Sequence, residues 1–299
     1  MDDSLRSRSY VLLGILSLIW GTSFILIKQG LKVFAPDEVG SLRVASASLF
    51  LLPVAILELK KINRSDYWKL FTSGMLGVFI PAFLFATAQT RMDSSVAGIL
   101  NTLTPIFTML IAGIIFRQRF GQSAVIGILL GFAGTVVLSL SRNGSVNGFN
   151  MFALLIVLAC FFYGSNLNFI KFKITHLRSV TITSVALMLI SPLAFVYLFG
   201  FTDFTDKLAT VDGAWRSFGF VVLLGLMSTS VATILSNELV KISSPMFASS
   251  VTYIMPIVGV MWGLVDGEKL QAGHFIGMSA IIGGVYLANR RGKDQTQRP

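Results

Sequence analysis

The sequence predicts an all-α polytopic membrane protein with ten transmembrane helices, arranged as two five-helix repeats of inverted topology. Three observations support this fold class. Of the 299 residues, 54% are hydrophobic and only 13% are charged, whereas roughly a quarter of the residues in a soluble domain are charged. The apolar residues form runs of about 20, the length that an α-helix needs to cross a bilayer. The two halves of the chain also resemble each other.

Ten apolar runs follow one another along the chain, separated by short polar connections. They are continuous rather than alternating, which favours helices over the strands of outer-membrane barrels. The first run is longer than the core of a signal peptide and no small-x-small cleavage site follows it, so we expect a retained span. The approximate bounds of the runs are 10–30, 39–57, 69–90, 94–116, 121–140, 150–171, 180–200, 216–240, 245–264 and 271–288.

The net charge of +10 is better explained by membrane topology than by nucleic-acid binding. In a ten-helix arrangement, Lys and Arg concentrate on the side that carries the N-terminus, and this bias marks the cytoplasmic side. We therefore expect a multi-pass protein of the cell (inner or plasma) membrane with both termini cytoplasmic. The lipid bilayer is its expected surroundings, and no nucleic acid is expected as a partner. Trp68 and Trp215 fall at span ends, where interfacial aromatic residues belong.

An internal repeat begins in the first run. The stretch "LIWGTSFILIK", residues 18–28, aligns without gaps on "FFYGSNLNFIK", residues 161–171. A second alignment holds further along each half, and a weaker one relates the second and seventh runs through Pro53 and Pro192. The other aligned pairs are Trp20 with Tyr163, Gly21 with Gly164, Thr22 with Ser165, Lys28 with Lys171, Gly74 with Gly225, Ala97 with Ala248, Pro105 with Pro256, Gly127 with Gly277 and Gly134 with Gly284.

The repeat predicts a first unit at residues 1–142 and a second at 143–299. Each unit has an odd number of helices, so the second enters the membrane from the opposite side. Such inverted repeats are common in secondary transporters, where the two units rock around a central site.

The chain resembles the drug/metabolite transporter superfamily, specifically its EamA-type ten-helix exporters and importers. Four stretches carry the resemblance: "WGTSF" at 20–24, "LRVASASLFLLP" at 42–53, "SSVAGILNTLTPIFTMLIAGIIF" at 94–116 and "SSPMFASSVTYIMPIVGVMWGLVDGEKL" at 243–270. The resemblance implies a central cavity lined mainly by the first, third, fourth, sixth, eighth and ninth spans. One position departs from the family pattern, since Arg117 stands where a Glu equivalent to Glu268 is common.

Polar and aromatic residues near span midpoints are the candidate solute contacts, because polar groups at that depth usually face the bundle interior or a cavity. For the Ser and Thr residues, a hydrogen bond to the carbonyl one turn earlier is an equally good explanation. For the aromatic residues, plain packing is the alternative. The candidates are Trp20, Thr22, Ser23, Asn101, Thr102, Tyr163, Ser165, Asn166, Thr229 and Tyr253.

Backbone features form a second group of candidates. We interpret Gly21, Pro105, Gly164 and Pro256 as bends or gating joints, with a static kink as the alternative. The Gly-rich stretches "GILLGFAGTVV" and "GMSAIIGGVYL" indicate close helix contacts that serve as scaffold or as a dimer face. Lys28 and Lys171 are expected to snorkel to the headgroups. Arg43, four or five residues into its span, is expected to anchor the structure.

The expected function is a carrier for small metabolites, amino acids or related zwitterionic and amphipathic solutes, working by alternating access. No Asp or Glu falls at mid-membrane, so facilitated transport is favoured over proton coupling. Drugs or nucleotide-like metabolites are alternative solutes, and a channel or an intramembrane enzyme is an alternative class. Metal-binding and nucleophile motifs are absent from the sequence, so no catalytic residue, cofactor or metal is expected. A monomer or weak homodimer is expected.

Overall fold

The computed structural model describes residues 3–91, 94–143, 151–265 and 272–289, and in these ranges the chain is helical with short connections. A helix satisfies its own backbone hydrogen bonds, which a bilayer interior requires. The helices are α1 Asp3–Gly30, α2 Pro36–Glu58, α3 Arg64–Gly74, α4 Ile80–Ala88, α5 Ser94–Asn101, α6 Thr104–Ile114, α7 Gln122–Asn143, α8 Ala153–Lys173, α9 Ser179–Gly200, α10 Phe204–Thr210, α11 Ala214–Leu223, α12 Ala232–Ile242, α13 Pro245–Ser249, α14 Val251–Val265 and α15 Ala272–Asn289.

These helices form the ten predicted spans. Within the described ranges, seven helical segments are long and apolar enough to cross a membrane, and three shorter apolar helices account for spans 5, 9 and 10. In chain order, spans 1 to 10 are α1, α2, α3–α4, α5–α6, α7, α8, α9, α11–α12, α13–α14 and α15. The short helix α10 lies in the connection between spans 7 and 8, which the sequence indicated only as a polar loop.

The outside of the bundle is apolar. Large side chains such as Ile114, Val196 and Ile276 are 77%, 62% and 62% exposed, far more apolar surface than a water-soluble protein leaves in patches. Trp68 and Trp215 are also exposed, each near the first turn of its span. This apolar outer surface is suited to contact with lipid.

The spans pack in pairs that are related by exchanging the two halves. Span 1 packs against spans 8 and 9, and span 6 packs against spans 3 and 4. Span 2 contacts spans 7 and 8, and span 7 contacts spans 2 and 3. Spans 5 and 10 pack against each other. The sequence repeat is therefore a structural repeat as well.

Glycine residues mark the closest approaches, and they do so at equivalent places. A Cβ on Gly21 would lie 2.8 Å from the Cβ of Val258 in span 9, and one on Gly164 would lie 2.8 Å from the backbone nitrogen of Thr108 in span 4. Neither glycine can accept a side chain without movement of its neighbour. Both therefore serve as tight helix contacts between the repeats.

The Gly-rich stretches of spans 5 and 10 contact each other within the chain. A Cβ on Gly127 would lie 2.2 Å from the backbone nitrogen of Ala288, and one on Gly134 would lie 2.8 Å from the Cβ of Ala280. These small-residue faces are thus already covered. This contact agrees with the scaffold interpretation, and a dimer face on these spans stays a prediction.

The register between spans 2 and 7 differs from the one predicted through Pro53 and Pro192. A Cβ on Gly74 would lie 3.0 Å from the carbonyl oxygen of Ala186, and one on the equivalent Gly225 would lie 2.7 Å from that of Arg43. Arg43 and Ala186 are therefore the equivalent positions. The prolines are displaced from this register by one helical turn, because Pro can be accommodated at more than one place along a membrane helix.

Two kinds of interruption occur in the spans, and only the irregularity at Pro105 was predicted. Span 4 is broken at 102–103, so Pro105 lies in the first turn of α6 rather than inside a continuous helix, where its missing N–H costs little. Spans 3 and 8 each contain a π-helical segment, Met75–Phe79 and Leu224–Val231, at equivalent positions of the two repeats. Pro256 lies inside α14 as predicted.

Polar contacts hold the two ends of the bundle. On the side that carries the N-terminus, Arg8 pairs with Glu238 at 3.2 Å. Lys171 donates to the carbonyl oxygens of Val240, Lys241 and Ser243, at 2.8 to 3.1 Å. Lys171 therefore caps the end of span 8 and does not simply snorkel. On the opposite side, Glu38 accepts a 2.7 Å hydrogen bond from Lys207.

Candidate functional site: a central cavity between the repeats

A cavity of about 110 Å³ lies between the two halves of the bundle. Spans 1, 3, 4, 6, 8 and 9 contribute to its wall, the set that the resemblance implies, and Arg43 adds span 2. Cavities between helices of a bundle are usual places for ligand sites. The wall is largely apolar, with amide, hydroxyl and indole groups at a limited number of positions.

Spans 1 and 6 present equivalent residues to the cavity. Trp20 and Phe24 of span 1 line it, as do their repeat equivalents Tyr163 and Leu167 of span 6. Ser23 and its equivalent Asn166 line it as well. The alignment of "LIWGTSFILIK" on "FFYGSNLNFIK" therefore identifies one wall of the cavity in each half.

The same correspondence holds for the other four core spans. In spans 3 and 8, Gly77, Val78 and Phe85 line the cavity, and so do their equivalents Ser228, Thr229 and Ser236. In spans 4 and 9, Asn101 and Thr104 line it with their equivalents Thr252 and Met255. All of these residues border the same cavity, so equivalent positions of the two repeats form opposite parts of its wall.

Span 1 is tied to the π-helical segment of span 8. The indole nitrogen of Trp20 donates a 2.9 Å hydrogen bond to the carbonyl oxygen of Ser228. The hydroxyl oxygens of Ser23 and Ser228 lie 2.6 Å apart. A π-helical turn leaves carbonyl groups less regularly paired than an α-helix does, and Trp20 uses one of them. The polar end of Trp20 is therefore fixed by the opposite repeat.

Span 6 meets the equivalent segment of span 3. The side-chain oxygen of Asn166 accepts a 2.7 Å hydrogen bond from Ser73. Its amide nitrogen lies so close to Gly77 that a Cβ there would be 2.2 Å away. Gly77 is needed because the amide occupies the space that a side chain would take. The Asn166 amide and Gly77 therefore occupy the positions that are equivalent to those of the Ser23–Ser228 hydroxyl pair.

Asn101 is buried beside the break in span 4. Its nitrogen donates to the sulfur of Met255 at 3.8 Å, and its oxygen accepts from the hydroxyl of Thr104 at 3.4 Å and from the thiol of Cys160 at 3.8 Å. All three are weak contacts, because sulfur is a weak acceptor and a weak donor and because 3.4 Å exceeds the usual range. An amide that is held this loosely retains hydrogen-bonding capacity for a solute.

Six of the ten predicted side chains line the cavity, and four do not. Trp20, Ser23, Asn101, Tyr163, Asn166 and Thr229 border it. Three of the other four bond to a backbone carbonyl about one turn earlier in the chain: Thr22 to Leu18, Thr102 to Ile99 and Ser165 to Phe161. Tyr253 is fully buried, and its hydroxyl donates a 2.9 Å hydrogen bond to the carbonyl oxygen of Ile128 in span 5.

The outcome for these four follows from the helix geometry. Thr22 and Ser165 lie two positions beyond the cavity-lining Trp20 and Tyr163, about 200° around the helix from them, and they bond back one turn. Tyr253 faces span 5 because its neighbours Thr252 and Met255 occupy the cavity side of span 9. For Thr22 and Ser165 the structure shows the intrahelical hydrogen bond, and for Tyr253 it shows packing, which are the alternatives that the sequence left open.

The gating candidates belong to spans that line the cavity, but they are not among its lining residues. Gly21 and Gly164 are contact points between repeats, and Pro105 and Pro256 belong to spans 4 and 9. Their role as joints stays a prediction. The two π-helical segments, which the sequence analysis missed, reach the cavity directly through Gly77, Ser228 and Thr229.

The only charged side chain among the described residues that line the cavity is Arg43. Its Nε donates a 2.6 Å hydrogen bond to the hydroxyl oxygen of Thr229. We expected Arg43 to anchor the structure, and its bond to Thr229 joins span 2 to span 8. Arg43 also forms part of the cavity wall, which was not predicted. Ser228, Thr233, Ser236 and Asn237 of span 8 also line the cavity and were not among the candidates. A repeat-based search starting from span 3 would have found Ser228 and Ser236.

Comparison with known proteins assigns this architecture to a family. Residues 8–140 and 150–290 both match the EamA-like transporter family. A solved crystal structure of a protein aligns over 94% of this chain and 96% of its own, with a TM-score of 0.72 at 18% sequence identity. At that identity the likeness shows a shared fold.

Relatives of similar length carry transporter names. A protein of Archaeoglobus fulgidus named "Uncharacterized transporter" is 25% identical over 285 residues, covering 95% of this chain and 99% of that protein. "Uncharacterized inner membrane transporter YedA" of Escherichia coli is 23% identical, covering 91% of this chain and 87% of that protein. "Uncharacterized transporter YvbV" of Bacillus subtilis is 22% identical, covering 97% and 94%. With both halves matched and these names shared, the chain belongs to the EamA-like transporter family and is a multi-pass membrane transporter.

Proposed function

We propose that this transporter is a carrier for small zwitterionic or amphipathic metabolites, amino acids or related compounds, which it moves by alternating access. The observation that supports this most directly is the composition of the cavity wall. Equivalent residues of the two inverted repeats, such as Trp20 with Tyr163 and Ser23 with Asn166, border one space. A solute there contacts both units at once, and a relative movement of the units exposes it to either side.

The contacts between repeats suit such a movement. Span 1 is joined to span 8 by the bonds of Trp20 and Ser23 to Ser228, and span 6 is joined to span 3 by Asn166. Each bond reaches a π-helical segment, a feature that is frequent at functional sites. We propose that these two segments are the places where the spans adjust when the repeats move.

The chemistry of the wall supports a small polar organic solute. Trp20, Phe24, Phe85 and Tyr163 offer aromatic surface, and Asn101 offers an amide that is only loosely bonded. An aromatic and amide lining can bind both the apolar part and the polar groups of an amino acid. No Asp or Glu is among the described lining residues, which supports facilitated transport over proton coupling.

We propose further that the protein resides in the cell (inner or plasma) membrane with both termini in the cytoplasm, and that it works as a monomer or weak homodimer. The excess of Lys and Arg on the N-terminal side supports the orientation. The mutual packing of spans 5 and 10 supports a unit that needs no second chain to cover its small-residue faces.

Counterflow into proteoliposomes tests the proposal. Vesicles with the purified protein are loaded with a mixture of the twenty common L-amino acids, and uptake of each radiolabelled amino acid is followed from outside. Saturable uptake that exceeds uptake by empty vesicles supports a carrier for amino acids. Uptake that rises linearly with concentration would indicate a channel, and chemical conversion without flux would indicate an enzyme. The same assay is run with drugs or nucleotides as the loaded and labelled solutes. Exchange of these solutes without exchange of any amino acid would exclude the amino-acid class.

A further inference from the structure

Arg43 introduces a charge into a cavity whose other described lining residues are neutral. Most polar lining positions have a lining equivalent in the other repeat. The position equivalent to Arg43 is Ala186, which does not line the cavity. The repeat does not duplicate this charge, so the two halves of the cavity wall differ in charge.

The guanidinium of Arg43 is only partly used by the protein. It has five N–H donors, and its Nε–H donates to Thr229. Among the described residues, neither terminal nitrogen has a hydrogen-bond partner, and no carboxylate lies within ion-pair distance. The acidic residues near the start of span 2 are bound elsewhere, Glu38 to Lys207 and Asp37 to Tyr197.

An unpaired guanidinium at this depth is costly. A charge that is taken out of water loses several kcal/mol of solvation unless it gains an ion partner and good hydrogen bonds. In membrane proteins such a residue usually faces a cavity and contacts the transported species. The terminal nitrogens form a planar fork that matches the two oxygens of a carboxylate. The bond from Nε to Thr229 fixes the plane of that fork.

We propose that Arg43 binds the carboxylate of the transported solute, with Thr229 as its positioning residue, and that the cavity accepts monocarboxylates while it rejects organic cations. This inference rests on the proposed function and narrows its solute class. The ammonium group of an amino acid would meet only amide and hydroxyl oxygens and aromatic faces, because no carboxylate is among the described lining residues. The carboxylate is therefore required, and the ammonium group is dispensable.

Three matched series of solutes test this in the wild-type protein. Each compares an amino acid with its deaminated acid and its decarboxylated amine: phenylalanine with 3-phenylpropionate and phenethylamine, leucine with 4-methylpentanoate and isoamylamine, and alanine with propionate and ethylamine. We expect the acid and the amino acid of at least one series to inhibit counterflow of a radiolabelled amino acid, and we expect the amines to have no effect on it. Equal inhibition by an amine would overturn the inference and leave the carrier function standing. Glycerol 3-phosphate serves as a dianionic probe, and stronger inhibition by it than by the acids would also overturn the inference.

Substitution of Arg43 provides the second test. We expect Arg43→Gln to lower the affinity for the best carboxylate at least tenfold, as for loss of a hydrogen bond to a charged group. Arg43→Lys retains the charge without the fork and should lie in between, and Thr229→Val should raise the KM for carboxylates more than it lowers the maximal rate. Arg64→Gln, at an exposed end of span 3, is the matched control. Unchanged carboxylate affinity in Arg43→Gln would overturn the inference.

The two failures can be told apart. If no amino acid or carboxylate exchanges in any vesicle preparation, the proposed function fails and the inference falls with it. If exchange occurs, but Arg43→Gln leaves the carboxylate affinity unchanged and the amines inhibit as well as the acids, only the inference fails. Should Arg43→Gln not fold, the wild-type series and Thr229→Val still decide the matter.

Discussion

The hydroxyl groups of Ser23 and Ser228 lie 2.6 Å apart, and they join span 1 of the first repeat to the π-helical segment of span 8 in the second. At the equivalent place, Asn166 of span 6 meets Gly77 of span 3. One repeat closes this contact with two small hydroxyls, and the other closes it with a large amide against a glycine. Both pairs of residues occupy the same position in their repeats. The helix contact is therefore common to the two repeats, while the side chains that form it differ.

Gly77→Ala tests the importance of this contact. The new Cβ would lie 2.2 Å from the amide nitrogen of Asn166, so the amide must move and its bond to Ser73 is lost. We expect counterflow uptake to fall several-fold and the melting temperature of the purified protein to drop. Gly219→Ala is the matched control, since nothing lies within 4 Å of a Cβ there. Equal effects of both substitutions would contradict the assignment.

Gly164→Ala tests the tight contact between spans 6 and 4. The added Cβ would lie 2.8 Å from the backbone nitrogen of Thr108, and backbone cannot rotate away as a side chain can. We expect a loss of about 1–3 kcal/mol in stability, the usual cost of overpacking, measured by thermal unfolding in detergent. In the control Gly14→Ala, where a Cβ has no neighbour within 4 Å, alanine should be neutral or stabilising by up to about 1 kcal/mol. A stable Gly164→Ala protein would show that the spans are less closely packed.

Trp20→Ala and Tyr163→Ala test the aromatic walls. Both residues line the cavity, and Trp20 also bonds to Ser228. We expect each substitution to impair transport while the protein remains in the membrane, as judged by counterflow and by the amount of protein in membrane fractions. Trp68→Ala and Trp215→Ala, which remove exposed side chains at span ends, should leave the KM unchanged. If Trp20→Ala and Tyr163→Ala both show wild-type kinetics, the solute binds elsewhere.

Comparison of Tyr253→Phe with Tyr163→Phe separates a structural tyrosine from one that faces the cavity. The Tyr253 hydroxyl donates to the carbonyl of Ile128, and the residue is fully buried. Loss of this hydrogen bond in Tyr253→Phe should lower the free energy of unfolding by about 0.5–1.5 kcal/mol without a change in KM. Tyr163→Phe removes a hydroxyl from the cavity wall and should change the KM with little effect on thermal unfolding. The reverse pattern would restore Tyr253 as a solute contact.

The sequence predicted the spans well because lipid imposes a simple rule: about 20 apolar residues make one crossing. The repeat alignment went further, since the aligned pairs Trp20 with Tyr163 and Ser23 with Asn166 do line one cavity. The direction of a side chain was harder to predict. A membrane helix is apolar on every side, so its hydrophobic pattern does not show which face is buried. For this reason the sequence left open whether Tyr253 lines the cavity or packs between helices, and it did not show that Arg43 borders the cavity.

The interruptions of the helices were predicted only in part. Pro105 correctly indicated an irregularity in span 4, because proline cannot continue a regular helix without loss of a hydrogen bond. The π-helical segments Met75–Phe79 and Leu224–Val231 have no such marker. They depend on packing of distant spans against them, as in the contacts of Asn166 and Trp20, and a single sequence does not contain that information.

Single cysteines at the two ends of the bundle test the orientation. Asn63 precedes span 3 on the side that carries the N-terminus, and Ala209 lies in α10 on the opposite side; both are exposed. The native Cys160 is fully buried and should not react. In intact cells, a membrane-impermeant maleimide should label Ala209→Cys, and it should label Asn63→Cys only after the membrane is opened. This result is expected because the basic residues that flank Asn63, such as Lys61 and Arg64, favour the cytoplasmic side. Labelling of Asn63→Cys in intact cells would invert the orientation of both termini.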